Sequence, residues 1–155
     1  MNIRVWHEFY TVEQALETRS RDLLKRYNCG VGLAFMPGSM DADHARLLKT
    51  WADDGIEVAL WPLLTDAQGY WPNERNADAF CETVKQICGW ADGNGIALPW
   101  LAVDLEPPLY MMKDLKEGAL SHKLRAARRL VSENRDRGRF LDASRRFGEL
   151  NEFLH

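Results

Sequence analysis

Hydrophobic and polar positions in the first 110 residues follow two periods that alternate along the chain. Apolar residues at every second position predict strands over about residues 3–10, 31–36, 56–64 and 100–106. Between them, apolar residues three or four positions apart predict helices over 12–27, 42–54 and about 76–92. Short connections between alternating strands and helices favour parallel strands, so we predict an α/β fold of consecutive βα units.

Polar residues mark where the predicted helices begin. Thr11 and Gln14 have the spacing of a capping box, and Asp41 or Ser39 can cap the second helix. Asn73 or Asn76 begins the third helix. These signals agree with the boundaries that the apolar period indicates.

The fourth predicted strand ends in two acids. Residues alternate between the two faces of a strand, so Asp104 and Glu106 share a face and are separated by Leu105. Pro107 and Pro108 follow, and they stop the pairing because proline has no N–H to donate. In α/β folds the carboxyl ends of the strands are where ligands bind, so we expect the functional site here.

After residue 110 the pattern changes to two predicted helices, over about 115–134 and 140–154, with no fifth strand. The first is rich in basic residues, but acidic residues alternate with them, which favours a solvated helix face over a nucleic-acid interface. We therefore predict one domain over 1–155, with βα repeats in 1–110 and a helical segment in 111–155.

Composition narrows the class of protein. The chain has 155 residues and a net charge of −3, so we expect neither nucleic acid nor an acidic membrane surface as partner. Residues 1–6 run directly into a strand, without a secretory signal, and no apolar run is long enough for a membrane span. The three cysteines lack metal-site spacing, so we predict free thiols and a cytoplasmic location. We also expect no cofactor.

Carboxylates at the predicted strand ends could perform acid–base chemistry. Two carboxylates a few ångströms apart raise each other's pKa, so one can hold a proton near neutral pH. Glu106 is the candidate general acid, and Asp104 would tune it. Glu8, at the end of the first strand, is the candidate for the second catalytic carboxylate.

Aromatic residues gather after the third predicted strand, and they suggest a carbohydrate ligand. Trp61 closes that strand, and the loop after it contains Tyr70 and Trp71. The C–H faces of sugar rings stack on aromatic rings, and Asp66 could accept hydrogen bonds from hydroxyl groups. The same acids are oxygen ligands that a hard divalent cation prefers, so a metal-dependent sugar isomerase is the alternative.

The strand-four acids resemble the chitinase-type motif Asp-x-x-Asp-x-Asp-x-Glu of TIM-barrel glycoside hydrolases. Asp104 and Glu106 match its last two acids, whereas Pro99 and Ala102 occupy the two earlier acidic positions. The resemblance implies that Glu106 protonates a glycosidic oxygen and that the preceding Asp104 orients the substrate. As architecture, the resemblance covers residues 1–110.

The sequence therefore predicts consecutive βα units of TIM-barrel type, about four parallel strands in a half or truncated barrel, with a helical C-terminal segment. The predicted function is that of a glycoside hydrolase, and the other alternative is a non-catalytic truncated barrel domain. Four strands cannot close a barrel, so we expect either a homodimer, in which strand four pairs with strand one of a second copy, or a missing C-terminal half.

Overall fold

A computed structural model describes residues 3–107, 109, 112, 120–133 and 135–155. Over these residues the protein is a mixed α/β fold with four parallel strands in one sheet, in the order of the chain. The strands are β1 (Ile3–His7), β2 (Cys29–Phe35), β3 (Val58–Pro62) and β4 (Trp100–Leu101). The predicted α/β class with consecutive parallel strands is confirmed.

The helices are α1 (Val12–Leu16), α2 (Thr18–Arg26), α3 (Ala42–Asp53), α4 (Ala77–Gly93), α5 (Leu120–Glu133) and α6 (Arg137–Leu154). The sequence predicted one helix over 12–27, but Glu17 has an extended ψ of 132° and separates α1 from α2. The start of the helix predicted over 115–134 lies outside the described residues.

The chain forms two compact units, and each is built from two stretches. The first unit comprises Met1–Leu63 and Thr83–Val103, and the second comprises Leu64–Glu82 and Asp104–His155. The sheet belongs to the first unit. The single domain expected from the sequence stays a prediction.

The core of the first unit lies on the helix-covered face of the sheet. Val31, Leu33 and Phe35 alternate along β2 and are fully or almost fully buried, as is Leu60 of β3. They form one cluster with apolar side chains of α1, α3 and α4, and Trp51 of α3 is the largest of these. The sequence of β2 is a nearly continuous apolar run because β2 is an inner strand covered by helices.

The opposite face of the sheet carries small residues beneath long side chains. The register pairs Arg4 with Gly30 and Trp6 with Gly32, so these four residues share a face. Arg4 crosses this face to form an ion pair with Glu57, and its guanidinium lies 5.5 Å from the centre of the Trp100 ring.

The predicted caps are confirmed where the structure describes them. The Thr11 hydroxyl accepts from the Gln14 N–H at 3.2 Å, and the Gln14 side chain accepts from the Thr11 N–H at 3.1 Å, which completes a capping box. Asp41 Oδ1 accepts from the His44 N–H at 2.8 Å and caps α3. These short-range signals predict where the helices begin because they need no distant partner.

The fourth strand is much shorter than predicted. Pairing covers only Trp100 and Leu101, followed by one bond from the Ala102 N–H to Leu60 O at 2.7 Å. The next bond of a parallel ladder would come from the N–H of residue 62, but Pro62 has none. The prediction that Asp104 and Glu106 share a strand face is therefore wrong, since both follow the end of the strand.

The second unit is built around the start of α4 and around α6. Phe80 is fully buried, and its ring centre lies 6.0 Å from that of Phe147. Cys81 Sγ contacts Arg146 O at 3.6 Å, and Arg146 forms an ion pair with Asp78 at 2.9 Å. The N-terminal part of α4 is thereby attached to α6.

Candidate functional site

The loop that precedes α4 is held by its own side-chain amides. Asn76 donates to Gln68 O at 2.8 Å and to Trp71 O at 2.9 Å, and Asn73 also donates to Trp71 O, at 2.8 Å. The Asn73 carboxamide oxygen accepts from the Arg75 N–H at 2.9 Å. Asparagine favours such local bonds to the backbone, so this stretch of the sequence fixes its own loop.

Tyr70 has an unusual backbone within this loop. Its φ is 66°, in the left-handed region that side chains with a Cβ rarely adopt. The Tyr70 N–H donates to Thr65 O, and its carbonyl accepts from Leu64 at 2.8 Å. The Tyr70 ring is 6% exposed and meets Trp71 edge to face at 5.0 Å. These contacts hold the backbone in place and bury the ring.

Glu106 is positioned by this loop. Its backbone N–H donates to Pro72 O at 3.2 Å, and the Leu109 N–H donates to Gly69 O at 3.1 Å. Two backbone bonds thus attach the segment around Glu106 to residues 69–72. The backbone of Glu106 therefore lies beside the aromatic loop that follows β3.

A cavity of about 280 Å³ opens beside Glu106 in the second unit. Glu106 and Glu74 supply its carboxylates, while Phe140 and Phe147 of α6 supply its aromatic rings. The remaining lining residues are polar or aliphatic: Asn73, Leu105, Pro107, Ala143 and Ser144. The cavity therefore combines an acidic part with an apolar wall.

Glu74 was missed by the sequence analysis and has unused hydrogen-bonding capacity. Its Oε1 is buried and accepts no hydrogen bond from any residue in the described part of the chain. Arg75 forms an ion pair with this carboxylate, and its Nε lies 3.6 Å from that oxygen. A buried acceptor without a donor costs about 1–3 kcal/mol, so a ligand hydroxyl or amine would be stabilised here.

The other predicted site residues of the second unit lie away from the cavity lining. Asp104 and Asp66 are exposed, and Trp71 is half-buried. Tyr70 is too buried to offer an open stacking surface. The structure therefore brings Glu106 together with Glu74, rather than with Asp104, at this cavity.

Glu8 and Trp61 belong to the first unit. Glu8 directly follows β1 and is half-buried. Trp61 lies in β3, and its ring meets Trp6 edge to face at 5.5 Å. Near the same strand ends, burial and then Asp41 raise the pKa of Tyr10, whose hydroxyl donates to Ala34 O at 3.2 Å. Tyr10 therefore acts as a neutral donor.

Metal ligation has no support among the residues whose placement is described. These residues contain no group of three or more His, Cys, Asp or Glu that could hold an ion. The metal-dependent isomerase expected as an alternative gains no set of ligands from the structure. Within the same residues, no helix combines the length and apolarity that crossing a bilayer requires.

Comparison with known proteins does not identify a family. No protein-family model matches the sequence, no curated protein matches it, and no solved structure matches the fold. Function must therefore be inferred from the cavity and from the residues around it.

Proposed function

We propose that this protein is a carbohydrate-active hydrolase in which Glu106 is the general acid. The observation that carries this proposal is the cavity itself, which is lined by Glu106 and Glu74 together with Phe140 and Phe147. Hydrolysis of a glycosidic bond uses two carboxylates on either side of that bond. In this proposal Glu74 is the second catalytic carboxylate, a role that the sequence predicted for Glu8.

The size and lining of the cavity suit a single sugar unit. Ligand pockets usually have volumes of about 300–1,000 Å³, and this one, at about 280 Å³, lies just below that range. Sugar C–H groups would contact the two phenylalanine rings, while hydroxyl groups would donate to the Glu74 oxygen that lacks a donor. The proposal places the bond to be cleaved beside Glu106.

The fold supports the same proposal at a coarser level. Four parallel strands in chain order are what consecutive βα units of a barrel would give. We propose that the first unit is such a half or truncated barrel. Fold alone does not establish function, so the test must address the carboxylates.

The decisive experiment is hydrolysis of a panel of aryl glycosides by the wild type and four variants. Glu106→Gln and Glu74→Gln should each lose at least about 100-fold in kcat/KM, the usual effect of removing a general acid or base. Glu152→Gln, an exposed position near the end of α6, is the control and should keep full activity. Asp104→Asn distinguishes the two possible carboxylate pairs. A loss of kcat/KM in this variant would favour Glu106 with Asp104, the pair expected from the sequence, over Glu106 with Glu74.

A non-catalytic binding domain is the second candidate, favoured by the mostly apolar lining residues of the cavity. It predicts that no glycoside in the panel is cleaved, while sugars still perturb the NMR signals of Phe140 and Phe147. Hydrolysis that survives in Glu106→Gln would refute the catalytic role of Glu106. If the sugars bind nowhere, both candidates are wrong.

A further inference from the structure

The first strand leaves one long edge of the sheet unpaired. In the sheet that the structure describes, β1 is an outer strand and pairs with β2 over five positions, Ile3 to His7. The other outer strand, β4, pairs with β3 over only two positions. A short edge offers little backbone to a partner, whereas β1 presents a full strand.

The β1 edge also carries exposed apolar side chains. Ile3 is 55% exposed, Val5 is 49% exposed and Trp6 is 55% exposed. On the helix side of the sheet, about half of the Val5 side chain therefore stays open to a partner. Edge strands are usually protected by lysine, proline or inward charges, and β1 has only Arg4, whose charge is already paired with Glu57.

We propose that β1 pairs antiparallel with β1 of a second copy, about a two-fold axis through Val5. A two-fold interface joins the same surface of both copies, so the surface must be complementary to itself. Centred on Val5, the register places Val5 opposite Val5 of the second copy and Arg4 opposite Trp6. It also places Ile3 opposite His7, so no like charges face each other directly.

The side chains near the proposed two-fold axis are compatible with this pairing. On the helix side, the valine pair would bury two half-exposed side chains. On the other face, Arg4 and Trp6 extend across the sheet towards Glu57 and Trp61, so their side chains leave the β1 edge accessible. The two Arg4 side chains lie diagonally across the axis, and the Glu57 carboxylates that neutralise them prevent repulsion.

This arrangement differs from the dimer expected from the sequence, in which strand four pairs with strand one. With β4 limited to Trp100 and Leu101, that pairing would use two residues of one partner. Pairing of β1 with itself uses the longest unpaired edge of the sheet from both copies. The structure therefore favours one continuous sheet of eight strands over a closed barrel made from two halves.

Sedimentation equilibrium of the 155-residue chain tests the proposal, with Val5→Lys and Val103→Lys as matched variants. The two valines are 49% and 50% exposed, so neither lysine should unfold the protein, which circular dichroism would verify. We expect a dimer for the wild type and for Val103→Lys, and at least a tenfold weaker association for Val5→Lys. A wild-type monomer at the highest soluble concentration would overturn the proposal, as would an undisturbed Val5→Lys dimer.

Disulfide trapping tests the register independently of any loss of stability. In a background with Cys29, Cys81 and Cys88 replaced by serine or alanine, Val5→Cys should form a covalent dimer on mild oxidation. Residues directly opposite in an antiparallel pair have Cα atoms about 4.5–5.5 Å apart, which a disulfide can bridge. Val103→Cys should stay monomeric in the same assay, and equal trapping of both variants would refute the register.

Discussion

At the scale of single residues, Gly32 determines where the Trp6 indole lies. A Cβ at position 32 would sit 2.3 Å from Trp6 Cε3, closer than any real contact. The glycine therefore lets the ring lie flat against the middle of the sheet, where it meets Trp61 edge to face. Trp6 is still 55% exposed, so the ring has room to move away.

Gly32→Ala should displace the Trp6 ring at a moderate cost in stability. Because the ring can rotate outward, we expect a loss of about 1–3 kcal/mol, the usual range for an overpacked site. The loss of the ordered Trp6–Trp61 pair should also reduce the near-ultraviolet circular dichroism signal. Gly38→Ala is the matched control, since a Cβ there would meet nothing within 4 Å. Equal spectra and stabilities for both variants would show that Trp6 does not rest on Gly32.

Glu106 and Glu74 show how far a sequence can predict a site at this scale. Glu106 could be found because an apolar run, two acids and two prolines occur together in one short stretch. Glu74 could not, because its place in the cavity depends on Phe140 and Phe147, more than sixty positions further along the chain. Asp104 had the same local signal as Glu106, but it is exposed and lies outside the cavity lining.

At the scale of elements, an ion-pair cluster connects α2 to the end of α3. Arg21 Nε donates to Asp54 Oδ2 at 2.5 Å, and Lys25 Nζ donates to Asp54 Oδ1 at 3.2 Å. No residue of α2 is fully buried, although Leu24 packs against the core, so these polar contacts add to the attachment of α2. The hydrogen bond from Arg21, and then that from Lys25, lower the pKa of Asp54 despite its partial desolvation.

The lowered pKa of Asp54 predicts how stability depends on pH. A carboxyl whose pKa is lower in the folded state stabilises the protein above its unfolded value, about 3.9, and loses this effect as pH falls through the folded value. Asp54→Asn should therefore lower the Tm between pH 5 and 7, and its difference from the wild type should shrink below about pH 4. Asp53→Asn, at the neighbouring exposed acid, is the control and should leave the Tm unchanged. A difference that stays constant down to pH 2 would contradict this role for Asp54.

Helices and strands could be predicted where the sequence signals that define them lie within a few residues of each other. The caps at Thr11 and Asp41 predicted where α1 and α3 begin, and the apolar period predicted that these two helices form. The end of β4 was not predictable in the same way, because it depends on Pro62 of the neighbouring strand. The break between α1 and α2 at Glu17 could not be predicted either, because the apolar period continues across it.

At the scale of the whole molecule, burial is distributed unevenly among the elements. Strand β2 lies between two strands, and Gly30 to Phe35 are all buried. In the second unit, α6 buries Ala143 and Leu150, whereas none of residues 120–132 of α5 is buried. Leu120 and Leu124 of α5 are 74% and 64% exposed. Tertiary packing supplies most of the stability of a helix in a protein, so α5 should be the less stable of the two helices.

Hydrogen exchange followed by mass spectrometry should therefore rank these elements by the free energy of local opening. Amides of β2 should exchange most slowly, because their opening requires the core of the first unit to unfold. Within the second unit, peptides from 139–151 of α6 should exchange at least about tenfold more slowly than those from 121–132 of α5, a difference of about 1.4 kcal/mol in opening free energy. The comparison is matched, because both segments are helical and belong to the same unit. If α5 were as protected as α6, its exposed leucines would have to be covered by a partner in solution, and the ranking by burial would fail.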